Sequence, residues 1–142
     1  MAQTKISVRT IHGASAAVGW SNGRAVSIDR ASSAGGIGIG FNGGELLLLA
    51  VGACYCNDLF REAERMNVMI SNVQIEVEAN WGGEPVRATD LELSVRVEGP
   101  SSQEEIQRLI RHTDQVAEIP NSLRYGTAVT IRSQEAVSLT RA

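Results

Sequence analysis

Two thiols, Cys54 and Cys56, and two histidines, His12 and His112, are the side chains with the widest range of chemistry in this chain. Their spacing narrows what they can do. Two residues along a helix turn about 200°, so side chains at 54 and 56 point to nearly opposite sides. Bridged cysteines need their β-carbons within about 4.5 Å, so a disulfide between neighbours of this kind requires the helix to unwind. Zinc would call for Cys-x2–4-Cys or paired His ligands, and His12 and His112 lie far from the thiols in sequence. Neither a metal nor another cofactor is expected. What is left is a single reactive thiol, provided a neighbouring group tunes it and a path reaches it. The alternative is that Cys54 simply packs, as a small hydrophobe in a buried helix commonly does.

The element that must position these thiols is GGELLLLAVGACYCNDLFREAERMNV, from Gly43 to Val68. Asn42-Gly43-Gly44 has turn chemistry, Glu45 is an acid suited to a first turn, and 46–53 is apolar on every side. The pattern predicts a core helix over 43–67, with Asn67 as its stop. The apolar run falls short of the roughly 20 residues a bilayer crossing needs. A helix apolar all round asks for cover on all sides. A chain of 142 residues does not readily supply that, so a second copy is expected to contribute.

Around this helix the chain alternates. Segments 5–11, 16–20 and 24–30 read as a small antiparallel meander, with Ser21-Asn22-Gly23 as a turn. The glycine-rich 31–44 lacks Gly-Lys-Ser/Thr, so it reads as a lid or crossover loop rather than a phosphate cradle. VQIEVEA (73–79) and LELSVRV (91–97) are half-buried strands, with Arg96 placed to meet Glu76 or Glu78 across the pair. Those two acids read as a solvated sheet face rather than a metal site. Ser101 to Glu104 looks like a capping box opening an amphipathic helix that Pro120 stops, with His112 on its solvent side. TAVTIRS (127–133) is expected to be a last strand. The order implies a single α+β domain spanning 1–142, not a doubly wound sheet.

With 43 % apolar and 20 % charged residues the composition is globular, and only six residues are Phe, Trp or Tyr, so Val, Ile, Leu and Ala must build the core. A net charge of −3 argues against a nucleic-acid surface. No signal-like or lipidation segment is visible at the N-terminus, and two closely spaced cysteines fit a reducing cytoplasm.

The stretch from Arg24 to Val68 resembles the osmotically inducible protein C (OsmC) and organic hydroperoxide resistance superfamily, within its OsmC-like branch. RAVSIDR carries the likeness, as does GGIGIGFNGGELLLLAVGAC where the family has a GxxxGPxPxELLLAALGAC-like pattern. VQIEVEA and the order LELSVRVEG, SSQEEIQRLIRHTDQVAEIP, NSLRYGTAV extend it over most of the chain. The resemblance implies an intertwined homodimer with the long helices packed centrally. It also implies a reactive cysteine at Cys54 that reduces peroxides. The family's second cysteine precedes a proline in a later helix, but here Ile119 precedes Pro120. The family's glutamate falls at Gly44, with Glu45 one position away, and its arginine comes from the N-terminal strands, where Arg24 and Arg9 are the candidates. The expected site is thus Cys54, Glu45 and Arg24, acting on a small peroxide, with an external thiol completing the cycle. The alternative is a non-catalytic dimer that binds a small apolar ligand at its interface.

Overall fold

The computed structural model describes residues 2–11 and 13–139; His12 lies outside them. Strands β1 (Ser7–Thr10), β2 (Ala17–Ser21) and β3 (Arg24–Ile28) form a three-stranded antiparallel meander, with Val8 opposite Gly19 and Gly19 opposite Val26. Ser21 pairs with Arg24, leaving a two-residue loop. Asn22 (φ 50°) and Gly23 (φ 76°) occupy it, both left-handed as a type I′ turn requires.

The glycine-rich segment after β3 is a crossover loop pinned at its centre. Asp29, 2 % exposed, accepts hydrogen bonds from the amides of Arg30 (2.7 Å), Ile37 (2.8 Å) and Ile39 (3.3 Å) and from the Ser15 hydroxyl (3.2 Å). The amides a phosphate would have used are occupied by the chain's own carboxylate. Gly40 runs so close to the Ser27 carbonyl that a side chain would collide with it. Burial alone would raise the Asp29 carboxyl, but the three amides and the hydroxyl outweigh it and hold the group below its ordinary value. A lowered folded value means the loop's anchorage is present above the unfolded carboxyl value and is lost as pH falls through the folded one. Protection of the Ile37 and Ile39 amides from hydrogen exchange should therefore persist through mild acid and disappear below the ordinary Asp range. Asp29→Asn should remove it already at neutral pH, and unchanged protection in that variant would contradict this role.

Helix α1 (Gly43–Met66) starts in a reciprocal capping box: the Asn42 side chain accepts the Glu45 amide (2.8 Å) and the Glu45 carboxylate accepts the Asn42 amide (3.0 Å). It ends at Asn67, left-handed at φ 55°, whose amide returns to Ala63 and Glu64. The expected all-round burial is only half met within one chain. Val51, Tyr55, Leu59 and Ala63 form a buried stripe at four-residue steps, whereas Leu49 is 51 % and Phe60 46 % exposed.

The hairpin β4 (Asn72–Gly82) and β5 (Arg87–Glu98) runs well beyond the expected strands and turns its Val, Ile and Leu side chains toward α1. Arg96 stands opposite Gln74 and bonds Glu98 at 3.3 Å, not Glu76 or Glu78, because the register sets Glu76 against Ser94 and Glu78 against Glu92.

Helix α2 (Gln103–Val116) has its capping box one residue later than expected, on Ser102 and Glu105. Leu109 and Ile106 from α2 meet Leu59, Tyr55 and Ala63 of α1 in the main core, and the Tyr55 hydroxyl donates to the Ile110 carbonyl at 2.8 Å. Burial, with the Asp114 charge, pushes the Tyr55 phenol up to about 12, so it remains a donor at physiological pH.

Pro120 does not stop α2. Ala117, in extended conformation, does so, and Pro120 falls in the first turn of a further helix, α3 (Glu118–Arg124), where no intrahelical amide partner is needed. The expected strand at 127–133 is absent, with Val129 95 % and Ile131 82 % exposed. Its alternation is strand-like, but a strand without a neighbour leaves its whole backbone ladder unmade.

Candidate functional site

Cys54 sits half-buried beside the inner stripe of α1, four residues before Asp58, so the helical period brings Asp58 beneath it. Its sulfur is 3.5 Å from Asp58 Oδ2, to which the thiol can donate, and it accepts the Ile119 amide at 3.5 Å. That amide is free because Ile119 lies in the first turn of α3, where N–H groups lack intrahelical partners. The residue before Pro120 therefore does face Cys54, as the resemblance implies for the second thiol, but it offers an amide nitrogen in place of sulfur.

Behind Asp58 stands an ion-pair cluster. Arg61 NH1 is 3.0 Å from Asp58 Oδ1 and 3.2 Å from Glu118 Oε1, and its Nε is 3.1 Å from Glu62 Oε2. Glu62, 4 % exposed, also takes Arg65 NH1 (3.0 Å) and His112 Nε2 (3.0 Å). His112 faces solvent as expected, its side chain 39 % exposed, and its ring nitrogen also crosses from α2 to close this cluster. The His112 hydrogen bond is the strongest influence on Glu62, and with Arg61 and Arg65 it holds the carboxyl below its usual range despite burial. The bond from Glu62 likewise raises Arg61.

The thiol itself is pushed up, first by burial and then by the Asp58 charge, while the Ile119 amide pulls the other way. Within the single chain these neighbours favour the thiol over the thiolate, with the Asp58 carboxyl group in reach of its proton.

Glu45 and Arg24 stand elsewhere in the single chain. Glu45 and Cys54 are nine positions apart, about half a turn out of phase, whereas Glu45 and Cys56 share a face. Glu45 and Cys56 in fact line one hollow of about 460 Å³ together with Phe41, Leu48 and Val77. Arg24 lies on the N-terminal sheet against an apolar surface with Ile6, Val8, Trp20 and Leu46. Arg9, the other candidate, places its guanidinium carbon 5.8 Å from the Trp20 ring centre. A second hollow, of about 410 Å³, is lined by Leu47, Val51, Leu91, Pro120, Leu123 and Arg124. Both cysteines are free, and among the described residues no three His, Cys, Asp or Glu side chains converge as a metal cage.

The family model described as OsmC-like protein matches residues 34–132, well over half of the sequence. The chain belongs to the OsmC-like family. Among solved structures, an OsmC-like protein from Mycoplasma pneumoniae superimposes with a TM-score of 0.76 at 18 % identity, covering 89 % of each chain. An organic hydroperoxide resistance protein from Elizabethkingia anophelis gives 0.69 at 17 % identity over 89 % of this chain and 91 % of its own. One from Legionella pneumophila gives 0.61 at 16 % identity over 87 % and 90 %. At such identities these neighbours establish the OsmC-like fold. No curated protein matches the sequence.

In OsmC-like terms, the sequence reading missed Asp58, Arg61 and the Ile119 amide. The first two were within reach of helical arithmetic, since Asp58 is four residues beyond Cys54 and Arg61 three beyond Asp58. The amide had no such signal, because its position depends on α2 breaking at Ala117.

Proposed function

We propose that this OsmC-like protein is a cytoplasmic homodimer that reduces an organic hydroperoxide at Cys54 and is restored by an external thiol. The observation that carries the reading is a free sulfur lying between a carboxylate, Asp58 Oδ2, and an open amide, Ile119 N–H, each at 3.5 Å. Asp58 takes the thiol proton as the sulfur attacks the outer peroxide oxygen. The O–O bond breaks, the alkoxide leaves and receives that proton from Asp58, and Cys54 becomes a sulfenic acid. A thiol from solution condenses with the sulfenic acid to give a mixed disulfide and water. A second such thiol then displaces Cys54, so each cycle consumes one hydroperoxide and two thiols and yields an alcohol, water and a disulfide.

Two features support a second copy. One face of α1 is apolar and uncovered in the single chain, and the strand-like 127–133 has no pairing partner among the described residues. Glu45 and Arg24 belong to the proposal as groups that the second copy would have to bring to the sulfur. Sedimentation of a single-chain species at micromolar concentration would remove this part.

Asp58→Asn gives a test with opposed readouts. Loss of the neighbouring anion lowers the Cys54 value, so alkylation of this thiol near neutral pH should become severalfold faster. Hydroperoxide turnover should fall by about 10²-fold, the usual order for losing a general acid–base group. If both rates rise together, Asp58 is not the proton carrier.

The burial and the Asp58 charge that hold Cys54 protonated also favour a second reading, in which the protein is a non-catalytic dimer binding a small apolar ligand. Under that reading turnover is absent in wild type and variant alike.

A further inference from the structure

Among the described residues, Arg61 alone is in contact with Asp58, Glu62 and Glu118 at once, at 3.0, 3.1 and 3.2 Å. We propose that Arg61 is a positioning residue for Cys54, fixing the Asp58 carboxylate so that one oxygen binds the guanidinium and the other remains on the sulfur. The two Asp58 oxygens are divided in just this way, Oδ1 on Arg61 and Oδ2 on Cys54.

Geometry makes the arrangement a built one. Asp58 has 5 % exposure, so its carboxylate has little access to water as an alternative partner. Arg61 is in turn oriented by Glu62, which Arg65 and His112 hold from two sides. A planar guanidinium can serve several carboxylates at fixed angles, which an ammonium cannot. The charged side chain on the sulfur is therefore Asp58, with Arg61 from α1 directly behind it and Glu118 from α3 on the far side of Arg61. Glu62, Arg65 and, from α2, His112 stand one contact further out. Of these, only Arg61 neutralises Asp58 directly. Without it, an uncompensated carboxylate would face the thiol, and thiolate formation would need higher pH.

The effect is read by alkylation with iodoacetamide, which needs neither peroxide nor turnover, so it stands or falls apart from the peroxidase reading. With Cys56→Ser in every variant, the rate reports Cys54 alone. Arg61→Gln should shift the alkylation profile toward alkaline pH by about one unit, slowing the reaction roughly tenfold at pH 8. Arg61→Lys, which keeps the charge but loses the fork, should shift it by less than Arg61→Gln does. In an Asp58→Asn background, Arg61→Gln should change the rate less than about twofold, because the group through which it acts has gone. Glu118→Gln should leave the profile near that of the wild type. An equal slowing by Arg61→Gln in both backgrounds would overturn the proposal, as would no shift. Should Arg61→Gln fail to fold, Arg61→Lys with and without Asp58→Asn completes the same cycle.

Discussion

Cys54→Ser should abolish thiol-dependent loss of cumene hydroperoxide, lowering the rate by at least about 10³-fold to the uncatalysed level, while Cys56→Ser should retain most of it. The size follows from the role: a hydroxyl does not perform the two-electron oxygen transfer that a thiol does, so no partial substitute remains in the site. The contrast between the two cysteines follows from the helix. Cys54 faces Asp58 and the Ile119 amide, whereas Cys56, almost half a turn away, opens into the hollow that holds Glu45. Equal rates for the wild type and Cys54→Ser would remove peroxidase chemistry from this thiol. A loss confined to Cys56→Ser would move the site to the Glu45 hollow.

The largest expected effect on stability is at Leu59, which is 0 % exposed and packs with Leu109, also 0 % exposed, where α1 meets α2. Leu59→Ala removes buried methyl groups and leaves a cavity between two helices that hold each other in place through several other contacts. Such sites collapse poorly, and the cost for comparable buried leucines is about 2–5 kcal/mol. Equilibrium urea unfolding at one fixed protein concentration is the suitable measurement, because association would otherwise enter the midpoint. A loss below about 1 kcal/mol would mean that the α1–α2 seam relaxes around the gap. The same change lies one residue from Asp58, so it should also loosen the sulfur's surroundings and reduce turnover beyond what unfolding explains.

The parts of the fold legible in the sequence were those set by local periodicity. The alternation of Val73, Ile75 and Val77 against Leu91, Leu93 and Val95 marked the hairpin, and Asn67 marked the end of α1. Asn22-Gly23 marked the turn, and the glycine-rich run marked a crossover. Contacts between distant segments were harder to read. Asp29 gathers amides from eight and ten residues away, a pattern with no local signature. His112 falls off the apolar spacing of α2 and does face solvent, but its contact with Glu62, buried across the seam, has no local signal. Pro120 was taken as a stop because proline breaks a helix interior; at the start of a helix the same residue is accommodated. The strand expected at 127–133 shows the reverse case, a sequence suited to a sheet that pairs with no edge among the described residues.

For the site, the sequence singles out the sulfur and points for its charged neighbours to Glu45 at the helix start and Arg24 or Arg9 in the N-terminal strands. Within the single chain, Asp58 and behind it Arg61 stand by the sulfur from the same helix, one and two turns further on. On the proposed mechanism the resting group is then a thiol beside the Asp58 carboxylate, whose other oxygen lies on Arg61, in place of a thiolate beside a cation.

The most direct measurement is to treat the reduced protein with a stoichiometric amount of cumene hydroperoxide in the presence of dimedone, and to locate the adduct by peptide mass. The mechanism predicts cumyl alcohol in step with sulfenic acid trapped on Cys54, with Cys56 unmodified. An unlabelled Cys54 in a protein that still consumes the hydroperoxide, or an adduct on Cys56 alone, would contradict it.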